Sequence, residues 1–188
     1  MSYVEELRDA YFRFAALPWQ QNLAPAQKVW MAMYPPEQER RVRLHLPDFE
    51  VATKKAGHPW VLVDVTFSFE RWMAGHEYAD QYFESPDLLE PGLPAFFSHL
   101  VAEVRAQLDK HREPEGVVAL LGAGSLFGLG DAVKVSALVN SVSDAIAGRL
   151  LVFFPGVYEQ DNYRLLDARD GWNYLATPIT ASEGEIRR

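Results

Sequence analysis

Residues 117–125 read Val-Val-Ala-Leu-Leu-Gly-Ala-Gly-Ser. Five apolar residues closed by a glycine-rich turn are too few for a helix and suit a strand buried on both faces. Upstream, Phe96, Phe97, Leu100, Val101, Val104 and Leu108 form one stripe on a helix spanning Leu93 to Lys110. Downstream, Asp131 stands where it can cap a helix carrying Val135, Leu138, Val139, Val142 and Ile146, which Gly148 stops. Leu150-Leu-Val-Phe-Phe154 repeats the short apolar run, and Pro155-Gly156 closes it. Helix, strand, helix, strand is the alternation that builds a parallel sheet covered by helices.

The same alternation extends toward the other end. Val4, Leu7, Tyr11 and Phe14 recur at helical spacing, and Leu17-Pro18-Trp19 ends that helix. Val29-Trp-Met-Ala-Met-Tyr34 reads as a first strand running into Pro35-Pro36, and Trp60-Val-Leu-Val-Asp-Val65 as a second buried strand. Glu37 to Ala56 is helical in composition with a break at Pro47. Phe67, Trp72, Met73, Tyr78 and Tyr82 suggest helical packing before a Pro/Gly-punctuated connector from Ser85 to Gly92. After Gly156 the pattern changes: Tyr163-Arg-Leu-Leu166, a polar turn at Asp167-Ala-Arg-Asp-Gly171, then Trp172-Asn-Tyr-Leu-Ala176 predict an antiparallel hairpin on the sheet edge. The expectation is a three-layer α/β fold with a mostly parallel central sheet, Rossmann-like or degenerate P-loop-like. It forms one domain over 1–188: a helix and lead-in to 28, a core over 29–156, an edge hairpin over 157–180 and a tail over 181–188.

A chain of 188 residues and 21.3 kDa suits one domain and buries about 70% of its unfolded surface without staples. It has no cysteine, hence no disulfide, thiolate nucleophile or cysteine zinc site. The first residues are acidic and amphipathic rather than a secretory leader, and no apolar run reaches the ~20 residues of a membrane span. The expected location is cytoplasmic. Eighteen basic against 26 acidic side chains give a net charge of −8, which disfavours nucleic acid as the main ligand. The imbalance is local. Residues 1–60 hold 8 basic and 7 acidic groups, net +1; residues 61–115 hold 4 and 11, net −7; residues 116–188 hold 6 and 8, net −2. The acidic excess gathers at Glu77, Asp80, Glu84, Asp87 and Glu90, either a solvated connector or a docking surface for a basic partner. Arg40-Arg41-Val42-Arg43, interleaved with Glu37 and Glu39, looks like an ordinary helix face.

In an open parallel sheet, ligands bind beyond the carboxyl ends of the strands. That places Tyr34, Asp64 or Thr66, Gly122 to Ser125, and Phe154 to Gly156 at the candidate site. A carboxylate within Val-Leu-Val-Asp-Val needs a partner or a metal; Asp64 either resembles a Walker-B metal ligand or orders a loop through backbone hydrogen bonds. Phosphate binding by a P-loop is excluded, because no Gly-Lys pair occurs and Pro35-Pro36 removes the donors after the first strand. Gly122, Gly124 and Ser125 lie in Gly122-Ala-Gly-Ser-Leu-Phe-Gly128, faintly like a dinucleotide loop, but its third glycine comes one residue late. A tight turn explains it better. His45, His58, His76, His99 and His111 show no ligand spacing. Ser125 lacks a nucleophile elbow. Glu159, Asp161, Asp167 and Asp170 are turn residues before they are metal ligands. No catalytic residue and no cofactor are assigned.

The run Arg149-Leu-Leu-Val-Phe-Phe-Pro-Gly156, Tyr158-Glu159 and Tyr163-Arg-Leu-Leu-Asp-Ala-Arg-Asp-Gly-Trp-Asn-Tyr-Leu-Ala176 resembles the BrxB family of BREX (bacteriophage exclusion) defence systems. Leu17-Pro-Trp19, Val29-Trp30, Ala52-Thr-Lys-Lys-Ala-Gly57 and Ser125-Leu-Phe-Gly-Leu129 extend the likeness over essentially the whole chain; Val157 departs from an acidic preference there. The resemblance implies a non-catalytic component of a phage-resistance complex. Its favoured direct partner is the alkaline-phosphatase-like protein PglZ, with an AAA-type ATPase and an adenine methyltransferase as further neighbours. No catalytic motif comes with the family. Trp and Tyr, which dominate interface hot spots, make Trp172 and Tyr174 candidate partner contacts beside Glu84 and Asp87. Trp19 is the third aromatic near a chain turn, and a core position accounts for it better. A degenerate nucleotide-binding regulator, with Asp64 and the Gly122–Ser125 loop as its site, is the alternative.

Overall fold

The structure is a computed structural model and describes residues 1–166 and 171–181. Helix α1 (Tyr3–Ala15) starts where Ser2 and Glu5 form a capping box, the Glu5 amide donating to Ser2 Oγ and the Ser2 amide to Glu5 Oε2 at 2.7 Å. Strand β1 (Val29–Tyr34) is buried at every residue. The helical stretch that follows is two helices, α2 (Glu39–Leu44) and α3 (Leu46–Lys55). They part at His45 rather than at Pro47, which sits in the first turn of α3, where a missing N–H leaves no bond unmade.

Strand β2 (Trp60–Asp64), the short helices α4 (Ser68–Ala74) and α5 (Ala79–Glu84), a 3-10 segment over Pro86–Gly92 and the long helix α6 (Leu93–Lys110) lead to β3 (Val117–Leu121). Helix α7 is shorter than its apolar spacing suggested, Val135–Val142, and Ile146 lies beyond it. Asp131 does not cap it: the N-cap is Lys134, and Asp131 pairs with the Lys134 ammonium at 2.9 Å.

Among the described residues seven strands make one mixed sheet, five of them in the order β2-β3-β4-β1-β7, all parallel along that path, with β5 and β6 branching from β4. Three features depart from expectation. Strand β4 does not stop at Pro155-Gly156 but runs from Arg149 to Glu159. Pro155 aligns with Tyr34, the last residue of β1, so beyond it the strand is free to take a new neighbour. Gly156–Glu159 then pairs antiparallel with β5 (Asn162–Leu165) through a two-residue turn at Gln160 and Asp161, both at positive φ (50° and 62°). A Cβ on Gly156 would lie 2.1 Å from the Arg164 carbonyl, so the crossing needs glycine.

The expected antiparallel pairing of β5 with β6 (Trp172–Asn173) forms, but, as the second departure, it continues this meander from the end of a central strand and does not flank the outer edge of the parallel strands. The third is that the edge itself is β7 (Thr177–Ile179), parallel to β1. Asp167, Asp170 and the tail beyond Ala181 lie outside the described residues.

Period-two alternation divides the core between the two sheet faces. Val29, Met31 and Met33, with Leu120, Val152 and Phe154, pack against the apolar stripes of α6 and α7. Trp30, Ala32 and Tyr34, with Leu121, Leu151 and Phe153, pack against Val4, Leu7 and Tyr11 of α1 and Phe49 of α3. Helices α1 and α3 are tied by the Tyr11 hydroxyl at 2.6 Å from Thr53 Oγ1, both buried. Among the described residues no helix is long and apolar enough to cross a membrane.

Candidate functional site

At the carboxyl end of the sheet Tyr34, Asp64, Thr66 and the Gly122–Ser125 loop are each engaged by a neighbour. Tyr34, the buried last residue of β1, donates its phenol to Glu39 Oε2 at 2.6 Å; burial, then the Glu39 charge, push that phenol well above its usual range. Glu39 Oε1 accepts from Arg43 Nε at 2.7 Å, one helical turn on. The same guanidinium donates to Thr66 Oγ1 at 2.9 Å and lies 3.8 Å from Asp64 Oδ2. Asp64 Oδ1 in turn accepts from the Thr66 amide at 2.9 Å and from the Thr66 hydroxyl.

Asp64 is therefore not a buried carboxylate. Its strand is the outer one of the sheet, and its side chain is 42% exposed. It orders the turn after β2 and carries half of an ion pair.

The glycine loop is equally committed. Gly122 has φ +97°, and a Cβ there would lie 2.5 Å from the Thr66 amide nitrogen, so glycine lets the β2 and β3 turns touch. Gly124 would place a Cβ 3.1 Å from the Pro155 ring. Ser125 donates its hydroxyl to the Gly122 carbonyl at 2.7 Å. The loop enters a 3-10 turn (Ala123–Leu126), and α7 begins only at Val135, so no helix N-terminus faces it as a dinucleotide loop requires. Arg43 thus joins Asp64 and Thr66 directly and Tyr34 through Glu39, and the Gly122 turn rests against Thr66. Sequence reasoning treated Arg43 as helix surface; the i,i+4 spacing of Glu39 and Arg43 was the one available signal.

The amino end is closed differently. Arg149, buried at the start of β4, donates to the Gly148 carbonyl at 3.0 Å and the Gln20 carbonyl at 2.9 Å. Its guanidinium lies 4.8 Å from the Trp19 ring centre and 5.7 Å from that of Trp30. His58 stacks on the other side of this cluster, 3.8 Å from Trp19, with its ring nitrogens 2.9 and 3.1 Å from the Glu115 and Ala15 carbonyls. Trp19 is thus half-buried in a packed cluster with Trp30, His58 and Arg149, the core position expected for it.

Two surfaces remain open. Trp172 and Tyr174 are half-buried against the core, with ring centres 4.5 Å apart and Trp172 5.9 Å from Tyr163. Trp172 lines a groove of about 450 Å³ with Phe127, Lys134, Phe154 and Leu165. Glu84 and Asp87 are exposed on the other surface, the α4–α5 region, where Phe67, Tyr78, Phe83 and Leu88 also face solvent. Residues 67–92 carry six carboxylates against Arg71 alone, a net −5, and Arg71 pairs with Glu103 of α6 at 3.0 Å. Comparison of the chain with family models, with curated proteins and with solved structures finds no match.

Proposed function

We propose that this protein is a non-catalytic binding subunit of a BREX bacteriophage-exclusion complex, a cytoplasmic scaffold that associates with the PglZ-like protein. The finer fold that goes with this reading is a three-layer, degenerate relative of the P-loop or Rossmann-like nucleotide binders, with its ligand end filled by its own side chains. The observation that carries the proposal is the α4–α5 surface. Phe83 is 73% exposed, and Leu88, Phe67 and Tyr78 share with it a segment holding six carboxylates. Exposed apolar groups inside a field of one sign suit a protein interface of opposite charge. The resemblance to BrxB at Phe154-Pro-Gly156 and Gly171-Trp-Asn-Tyr-Leu175 supports the choice of system.

Co-expression with the co-encoded PglZ-like protein, followed by affinity capture and size-exclusion, tests the reading. A stoichiometric complex at moderate salt is expected, weakened at least tenfold by Phe83→Ser with Leu88→Ser. Separate elution of the two wild-type proteins overturns it. The nucleotide-regulator alternative is tested by calorimetry with nucleotide and Mg²⁺, where binding heat at millimolar ligand replaces the scaffold reading. None is expected, because Arg43 engages Asp64 and Thr66, the polar groups a nucleotide would need there.

A further inference from the structure

The two outer edges of the parallel part of the sheet are defended unequally. Strand β7 closes one side with three residues, and Pro178 at its centre has no N–H to offer a newcomer. Strand β2 closes the other side with five residues, Trp-Val-Leu-Val-Asp, which include no lysine, proline or glycine. Such an edge lacks the devices that keep sheets from pairing with further chains.

Its geometry fixes what it offers. The Val117 amide donates to the Pro59 carbonyl at 2.8 Å, and the Val65 amide to the Leu121 carbonyl at 2.9 Å. The odd-numbered residues of this segment therefore turn their backbone groups toward β3. The N–H and C=O groups of Trp60, Leu62 and Asp64 turn outward, to the side where β2 has no neighbour in the strand order. The side chain of Leu62, midway along this row, is 42% exposed. Val61 and Val63 belong to the opposite face, together with Phe69 and Trp72 of α4.

We propose that the outer edge of β2 receives an extended segment of a partner protein as an added strand, held by the outward backbone groups of Trp60, Leu62 and Asp64. The occupant's chemistry follows from the two faces. Side chains falling beside Trp60 and Leu62 are apolar. Those on the Val61/Val63 face run toward α4 and the six carboxylates of residues 67–92, and are lysine or arginine. The proposal rests on the binding-subunit reading and adds the place and mode of docking.

The test variant is Leu62→Pro. Because the Leu62 N–H points outward, proline there removes a docking donor without breaking the β2–β3 ladder. Leu62→Lys, which places a charge on the same edge, serves if the proline variant does not fold by circular dichroism and melting. Wild type and variant are titrated separately against the purified PglZ-like protein, ATPase and methyltransferase, and each is sized alone by light scattering. Wild-type binding to one of these proteins, weakened at least tenfold in the variant, is the expected result. Binding by wild type and variant alike overturns the edge proposal and leaves the subunit reading standing. Edge-dependent binding to the ATPase or methyltransferase but not to the PglZ-like protein leaves the edge proposal standing and overturns the choice of partner. No binding to any of the three overturns both. A wild-type dimer that the variant disperses makes a second copy of this chain the occupant, and overturns the heterologous segment.

Discussion

The two ends of the sheet are both closed by an arginine, yet by opposite chemistry. At the amino end Arg149 is buried among carbonyl oxygens and two tryptophan rings, and makes no ion pair among the described residues. At the carboxyl end Arg43 is one-third exposed and shared between Glu39, Asp64 and Thr66. A cation held by packing stabilises through shape and desolvated hydrogen bonds; one held by half-exposed carboxylates is screened by water and salt. At the carboxyl end, where an open α/β sheet binds ligands, Asp64 and Thr66 are thus held by the weaker and more replaceable device.

Four substitutions probe this contrast. Arg149→Ala removes the buried guanidinium, leaving two carbonyls without their donor and a void beside the touching Trp19 and Trp30 rings; a loss of about 2–4 kcal/mol is expected from urea midpoints. A loss below ~1 kcal/mol would break the comparison. Gly122→Ala is expected to cost about 2–3 kcal/mol, since its φ of +97° strains any side chain and its Cβ would meet the Thr66 backbone. Alongside it, broadening of the Thr66 amide resonance should show that the β2 and β3 turns have been pushed apart.

Arg43→Met should cost only about 1 kcal/mol and, unlike Arg149→Ala, lose most of its effect in high salt. An effect that persists in salt would make the carboxyl end a packed lock as well. The smallest effect is expected at Asp144, which faces Arg105 of α6 near the amino end. The hydrogen bonds from Arg105 hold its carboxyl below the usual carboxylate range. A lowered folded-state value means that stability is gained above the unfolded value of ~3.9 and lost as pH falls through the folded one. Asp144→Asn should therefore melt slightly below wild type near neutral pH, and the gap should close in acid.

The strands and long helices were legible because burial wrote them into the sequence. Val29–Tyr34 and Val117–Leu121 are uninterrupted apolar runs, and α6 carries an unbroken stripe from Leu93 to Leu108. Strand β4 was half legible: Pro155-Gly156 reads as a stop, and only the end of β1 at Tyr34 explains why the chain continues through it to a new neighbour. Strand β7 was not legible, since Thr-Pro-Ile has neither length nor alternation and becomes a strand only because β1 offers it an edge. Asp64 looked buried because four apolar neighbours surround it in sequence. Its strand's place at the end of the order exposes it, and strand order is a property of the packed sheet.

By itself the sequence determined the alternation of elements, the two apolar faces of each central strand and the concentration of negative charge after residue 61. These follow from local periodicity and composition, which need no knowledge of neighbours. Only the tertiary structure decided that Arg43 joins Glu39, Asp64 and Thr66 at the carboxyl end, that Arg149 is buried against Trp19 and Trp30, and that β2 rather than β7 is the undefended edge. Each of those depends on which distant segments lie side by side, and a side chain's burial or a backbone group's freedom is set by that neighbour and not by its own identity.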